Sequence, residues 1–565
     1  MKQFKDPIYG YVEIDDDIVQ DIIDTPPFQR LRNIVQTSYS PLFPGSYHNR
    51  YIHSIGVYYL GKKAFKSIYQ ELQNELTPES PEIDINEIQK TFELACLLHD
   101  VGHAPFSHTG EGFYTTEKEA TKTAGIGERG IYDALTRIVD DENFTKDADE
   151  YFKGKGAAQH EVMSCIVALE KYREHFPSPE QRSLFARCIT GYKYRDTSSK
   201  ETKLLNCVID LLNSSIIDVD RLDYIIRDSQ TIGFKSVVVD YDRLVNGMKI
   251  NTDGGICIGY HKSALSVIEN AIYAHDAEKK WIQNHPAILY ETYILQHAME
   301  LINRKFSSSA DTNPVFCYEA LTEEGKVIFF EPDDNSGVQK SWNISLLADE
   351  TILFFMKSIC KDDLTNEYFA RNIRRRPLWK SEAEYVALIE KQIGSATEGI
   401  KKLEEQLTML EKYIHENLPA PIINKEALDF VENEEKKART AYEEGTITKE
   451  DYDTSLQGMR MYKKWLNVFK KLHEDNNIPF DFVIIPTNKF SSNFGKNAIA
   501  GIPIIFPSFG KSYPIKDIST VLKADPASRS NFLHLFYKAP VNENSDLKKK
   551  IIESTVNSLC ANIFL

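Results

Sequence analysis

The sequence predicts a mainly α protein with a smaller α+β lobe at its C-terminal end and an antiparallel helical hairpin inserted before that lobe. Three patterns carry the prediction. Apolar residues recur at helical spacing through most of the N-terminal half, as at Ile52, Ile55, Leu60, Ala64 and Ile68. From Ile389 they step by four and three through Ile393, Ala396, Ile400, Leu403, Leu407 and Leu410 to Ile414, which is a heptad seam. Beyond residue 480 the texture changes to short β-branched and aromatic runs at 482–485, 502–506 and 532–537.

Taken in order, the chain opens on a turn, Asp6-Pro-Ile-Tyr-Gly10, and an alternating piece at 11–14 that suits a hairpin strand. Asp15 to Asp17 can cap a helix bearing Ile18, Val19, Ile22 and Ile23, which Pro26-Pro27 ends. Pro27 can start the next helix, with Phe28, Leu31, Ile34 and Val35 on one face and Gln29, Arg32 and Gln36 on the other. A long helix is expected over 49–73, a loop over 74–87 and a helix over 88–98. Between His108 and His160 the sequence is polar and punctuated by glycine, with a helix at 131–139, a texture that suits a loop closing over a ligand. Helical pattern returns over 161–212, and Asp220, Asp223, Tyr224, Arg227 and Asp228 then fall at helical steps along one groove. Short β structure over 237–262 leads to a helical run over 263–304, interrupted near His285-Pro286. Helical stretches at 428–442 and 452–472 can fold back on the heptad seam, and a helix at 545–559 ends the chain. The expected divisions are 1–384, 385–475 and 476–565, with the middle segment packing on itself rather than on a partner.

At 565 residues and 42% apolar content, the chain can bury a large core. No run approaches 18 consecutive apolar residues and no basic-then-apolar leader opens the chain, so a cytoplasmic protein without membrane contact is expected. Eight cysteines without a Cys-x-x-Cys pair read as reduced core residues. A net charge of −16 disfavours nucleic acid as a partner and requires any polyphosphate ligand to find concentrated Arg and Lys, as in Arg371-Asn-Ile-Arg-Arg-Arg-Pro-Leu-Trp-Lys380.

The chemistry concentrates in Leu97-Leu-His-Asp-Val-Gly-His-Ala-Pro-Phe-Ser-His108. His99 and Asp100 project where an apolar helix opens, and imidazole nitrogen beside carboxylate oxygen suits Zn, Fe, Mn or Mg. Gly102 permits a sharp change of direction, so that His103 and His108 can point back at whatever the metal holds. Six of the 14 histidines fall between residues 48 and 160, which favours a site over scattered core and surface histidines.

His53, His99-Asp100 and Asp220 in this order resemble the HD-domain phosphohydrolases. Asp6-Pro-Ile-Tyr-Gly10, Ile23-Asp-Thr-Pro-Pro-Phe-Gln-Arg-Leu-Arg32, Phe43-Pro-Gly45, His48-Asn-Arg50 and Asp218-Val-Asp220 narrow the resemblance to the deoxynucleoside-triphosphate triphosphohydrolases of the vertebrate SAM-and-HD-domain type. It is dense over residues 2–300 and continues in islands at 374–380 and near the C-terminus, with no SAM domain expected ahead of it. The resemblance implies an HD-domain helical fold for 1–384, opening on a regulatory segment. It implies hydrolysis of a dNTP to deoxynucleoside and inorganic triphosphate, with a divalent ion (Mn, Fe, Mg or Zn) on His53, His99, Asp100 and Asp220.

By the same resemblance His108 and His160 are the acids, supported by His103 and Glu161. Arg50 and Arg221 contact phosphate, Tyr224 packs on the nucleotide, and Asp228 with Gln36 holds the sugar 3′-hydroxyl. Asp24, Gln29 and Arg32 read the guanine of an activating dGTP or GTP, and Arg243, Arg376 and Lys380 take its phosphates, between subunits of a dimer or tetramer. The sequence departs from its relatives at Arg221, usually Lys, and at His275 and Gln283, where they carry an arginine and an aromatic residue. The last two changes predict looser rejection of ribonucleotides, unless a shifted register gives Trp281 the aromatic role. Two competing readings are an HD phosphodiesterase or nucleotidase for other nucleotides, and a non-catalytic nucleotide-binding scaffold. The intact ligand set argues against the scaffold, and Gln36, Asp228 and the N-terminal motifs favour the triphosphohydrolase.

Overall fold

A computed structural model describes residues 1–76, 84–114, 130–154, 156–214, 217–234, 238–306, 315–330, 340–393, 396–418, 420–487, 497–508, 510–519, 532–540 and 543–562. Much of the glycine-punctuated loop expected to close over a ligand, including Gly125 and Gly127, lies outside them. The chain is mainly α and divides into two compact units. The first combines Met1–Lys279, Met299–Cys360 and Ser492–Ala527, and the second combines Lys280–Ala298, Lys361–Ser491 and Ser528–Leu565. Neither unit is continuous in sequence, unlike the three consecutive segments expected from the sequence. Among the described residues no helix is long and apolar enough to cross a membrane.

In the first unit the helix Arg50–Glu75 packs on Ile85–Leu98 and on Val219–Thr231. Pro179–Thr190 packs in turn on Ile85–Leu98, between Gln159–Lys171 and Lys200–Leu212. Ile55, Leu60, Phe65, Phe92, Leu97 and Val208 are buried in this core. Two of these helices are fixed at their starts by side-chain caps. The Asn49 side chain accepts from the Ile52 amide at 3.1 Å and Asp218 from the Arg221 amide at 2.8 Å, so each satisfies an orphan donor of its helix. The helix expected to follow Pro27 is shorter than its apolar spacing suggested: Pro26–Gln29 passes into a 3-10 turn, Arg30–Asn33, and Ile34 is already extended.

Lys2–Asp6 and Gly10–Ile14 form the expected hairpin. A four-stranded sheet runs in the order Lys511–Pro514, Pro503–Phe506, Cys257–His261, Met248–Asn251. The run Ile504-Ile505 therefore lies parallel to Tyr260-His261 and belongs to the first unit, although its texture in the sequence grouped it with the C-terminal lobe.

In the second unit Arg376–Pro377, Leu533–Tyr537, Asp481–Pro486 and Ile423–Asn424 form an antiparallel sheet in that order. The heptad seam is the core of this unit: Ile400, Leu403, Leu407, Leu410 and Ile414 on Ala396–Asn417 are buried with Phe482, Ile484, Leu533 and Leu535 of the sheet. The antiparallel hairpin is made instead by Lys425–Glu443 and Lys449–Asn476, joined through Gly445 at φ 72°. A four-three repeat thus marks a helix buried against a sheet as readily as one in a coiled coil.

Candidate metal centre and its acid residues

His53 stands in the first turn of Arg50–Glu75, Asp220 in the first turn of Val219–Thr231, and His99 at the end of Ile85–Leu98 with Asp100 following it. The helix packing brings these four together. His53 Nε2 is 3.2 Å from His99 Nε2, 3.0 Å from Asp220 Oδ1 and 3.6 Å from Asp100 Oδ2. His99 Nε2 lies 3.4 Å from Asp100 Oδ1 and 3.6 Å from Asp220 Oδ1. The other ring nitrogens are committed elsewhere, His53 Nδ1 to Asp223 Oδ2 at 2.7 Å and His99 Nδ1 to the Cys96 carbonyl at 2.9 Å. With those protons on Nδ1, both Nε2 lone pairs face each other and two carboxylates, a donor set that fits a divalent cation.

Without a cation, burial would lower the His53 pKa, but Asp220 and Asp223 bring it up to about 9, so an entering cation has to displace the Nε2 proton. Burial would raise the Asp100 carboxyl, yet Arg50, His99 and His53 hold it down to about 2. Arg50 Nη1 donates to Asp100 Oδ2 at 2.8 Å.

Asp223, read in the sequence only as a groove residue, is the support beneath His53. Arg227 grips it through Nε and Nη2, each at 2.8 Å, and Arg227 Nη1 reaches Asp6 at 3.0 Å. This buried chain leaves no space at Gly56, where a Cβ would lie 2.1 Å from Asp223 Oδ1. Gly102 is likewise required for close approach, since its Cβ would sit 2.3 Å from the Ser164 amide nitrogen.

A second cluster adjoins the first. His103 is buried and its ring stacks on His160 at 4.2 Å, while His108 meets both edge-on at 5.2 and 5.0 Å. Glu111 bonds to Nδ1 of His160 and lies 3.3 Å from Nδ1 of His108. The sequence offered one signal for Glu111, its place one helical turn after His108. Burial would lower the His160 pKa, but Glu111 outweighs it and raises that pKa. For His103 burial, then Arg50 and the neighbouring histidines, lower the pKa well below the usual value. Glu161 faces elsewhere: it accepts from the Ala158 amide at 2.7 Å and from Asn213 at 2.8 Å, capping its own helix.

Residues 50–190 match the HD domain family. Over that span the chain is similar to an HD domain. Among similar curated proteins, a deoxynucleoside triphosphate triphosphohydrolase SAMHD1 of Gallus gallus is 31% identical over 253 residues, 44% of this chain and 37% of that one. An uncharacterized protein of Mycoplasma genitalium is 29% identical over 47% of this chain and 52% of its own. A putative HD domain-containing protein of Acanthamoeba polyphaga mimivirus is 27% identical over 57% and 62% respectively. The match thus spans between about a third and under two thirds of these relatives' lengths. The crystal structure of a hypothetical protein from Aquifex aeolicus shares the fold, with a TM-score of 0.53 at 17% identity over 98% of this chain and 99% of that one.

Around the matched span the remaining expected residues separate. Gln36 is buried, and its Oε1 has no hydrogen-bond partner among the described residues. Asp228 is also buried, with Oδ1 2.5 Å from His48 Nε2, a partner the sequence did not suggest. Arg221 lies half-buried with Nε 3.6 Å from Asp218, and Tyr224 is 6.4 Å from the His275 ring. Arg32 stacks on Tyr51 at 4.2 Å and lines a cleft of about 430 Å³ with Lys5, His48 and Asn49. Asp24 is 3.4 Å from Lys2 Nζ, Gln29 donates to the Ile23 carbonyl, and neither lines that cleft. Arg243 is exposed on Tyr241–Asn246.

In the second unit the basic run is largely neutralised. Arg374 pairs with Glu291 at 2.8 Å, Arg375 is buried between Glu367 and Asp481, and Arg376 pairs with Glu543 at 2.9 Å. Lys380 is exposed, its backbone amide on Glu384. Trp281 and Gln283 also belong to the second unit.

Proposed function

We propose that the protein is a divalent-metal-dependent phosphohydrolase that converts deoxynucleoside triphosphates into deoxynucleoside and inorganic triphosphate. The observation that carries the reading is the convergence of His53, His99, Asp100 and Asp220 next to a histidine patch organised by Glu111. The 31% identity to a deoxynucleoside triphosphate triphosphohydrolase supports the substrate class.

When bound, a divalent ion of the Mn, Fe, Mg or Zn type supplies Lewis-acid polarisation of a phosphoryl oxygen and makes water more acidic. The chain's own residues do the rest. Water oxygen adds to the α-phosphorus, the bond from phosphorus to the 5′-oxygen breaks, and that oxygen takes a proton. His160 is the donor best supported, since Glu111 favours its protonated form, and His108, at 63% side-chain exposure, is placed to exchange protons with solvent. In this reading Arg50 and Arg221 bind phosphate, Tyr224 packs against the nucleotide, and Asp228 and Gln36 hold the 3′-hydroxyl. The unpartnered Gln36 Oε1 supports a ligand hydroxyl there. Substrate must then share Arg50 with Asp100 and Asp228 with His48.

The reading extends to activation by dGTP or GTP in a homo-oligomer, with Asp24, Gln29 and Arg32 on the base and Arg243, Arg376 and Lys380 on its phosphates. The cleft beside Arg32 supports a ligand at that end of the first unit.

The test is to incubate pure protein with dATP and each metal in turn, with and without dGTP, and to separate the products. Triphosphate plus deoxyadenosine, released faster with dGTP, is expected. Pyrophosphate plus monophosphate, or free phosphate, replaces this reading with another nucleotidase chemistry.

A further inference from the structure

The loop that carries the acid histidines contains two adjacent residues in the left-handed region, Phe106 and Ser107, both at φ 55°. Side-chain-bearing residues hold such a backbone only where the surroundings over-determine it. Here the determining group comes from far along the chain. Asp349 Oδ1 accepts from the Phe106 amide at 2.6 Å and Oδ2 from the Val35 amide at 2.9 Å. Ser107 Oγ then donates to the Val35 carbonyl at 2.5 Å and accepts from Arg50 Nε at 2.8 Å. Asp349, Phe106, Ser107 and Val35 thus form a closed ring of bonds. Arg30 adds a second tie, from Nη1 to the Leu347 carbonyl at 2.7 Å and from Nη2 to the Val101 and His103 carbonyls, each at 2.9 Å.

We infer that Asp349, which lies well outside the matched span 50–190, is a positioning residue that holds the 103–108 loop and the neighbouring Gln36 in working geometry. The inference rests on the phosphohydrolase reading of the site. Asp349 is 7% exposed, and both its carboxylate oxygens accept from backbone amides, one on each of the two segments it joins. His108 and Glu111 come directly after, in the turn His108–Glu111, so the direction of that turn depends on how Phe106 and Ser107 are held. Asparagine at 349 offers only one acceptor atom, and its amide nitrogen would face a backbone N–H. Asp349→Asn therefore opens the ring with almost no change of volume.

The experiment measures kcat, KM and bound metal in wild type, Asp349→Asn, Ser107→Ala and the double variant, with amide exchange over Val35 and Phe106 followed in each. Asp349→Asn is expected to keep its metal while kcat falls roughly ten- to hundred-fold, the loss typical of misplaced groups, and KM rises by less than kcat falls. Exchange at both amides should quicken. Because both substitutions open the same ring, the double variant should lose no more than about the worse single one. Wild-type kcat in Asp349→Asn, or fully multiplicative losses in the double variant, overturns the assignment while leaving the phosphohydrolase reading intact. If wild type hydrolyses no nucleotide, that reading fails and amide exchange decides alone: unchanged exchange in Asp349→Asn overturns the brace. Should Asp349→Asn not fold, Ser107→Ala carries the same exchange test and the same two outcomes.

Discussion

The two histidine clusters of the first unit differ in what their second ring nitrogen meets, and the proposed roles follow from that difference. In His53 and His99 that nitrogen is fixed by Asp223 and by the Cys96 carbonyl, so two lone pairs converge with Asp100 and Asp220 around one point. In His108 and His160 it faces one shared carboxylate, Glu111, which raises the His160 pKa and so favours its protonated form. Of these histidines only His108 is open to solvent, its side chain 63% exposed, whereas His53 and His103 are fully buried.

The largest effect should come from Asp100→Ala or Asp220→Ala, each expected to abolish turnover together with metal binding, measured by elemental analysis of the purified variant. Full metal content at the wild-type rate in either would erase the distinction between the clusters. His108→Ala should keep its metal and lose roughly 100- to 10,000-fold in kcat, the usual contribution of general acid catalysis. A normal rate there would leave proton delivery to His160 without any exchange through His108.

Asp223→Ala tests the support rather than the ligand. It should weaken metal affinity about 10- to 100-fold, read by titration against a competing chelator, because His53 loses the partner that fixes its ring. Unchanged affinity would mean that packing alone orients His53. The smallest effect belongs to Glu111→Gln. Glu111 raises the His160 pKa, so an acid that must be protonated stays active up to that raised value and fails as pH climbs through it. Without the carboxylate, the alkaline limb of the kcat profile should move to lower pH, with little loss at the acid end. An unmoved limb would assign it to a different group.

Much of this was legible in the sequence because it is local. The helices and the positions of His53, His99-Asp100 and Asp220 are set by apolar spacing and motif order along short stretches. What was not legible depends on partners brought from far away. Asp349 reaches Phe106 across 243 positions, and Arg375 meets Asp481 across 106, which takes that one arginine out of an apparent anion site. Glu161 reads as a neighbour of His160, but its carboxylate serves the start of its own helix. The heptad seam is real, yet its period does not say whether a helix or a sheet lies against it.

The division of labour between the clusters is tested most directly by measuring bound metal and turnover on the same preparations of His53→Ala and His160→Ala. His53→Ala should lose both. His160→Ala should hold wild-type metal and lose rate alone. Equal metal loss in the two variants, or full turnover in His160→Ala, would contradict the account.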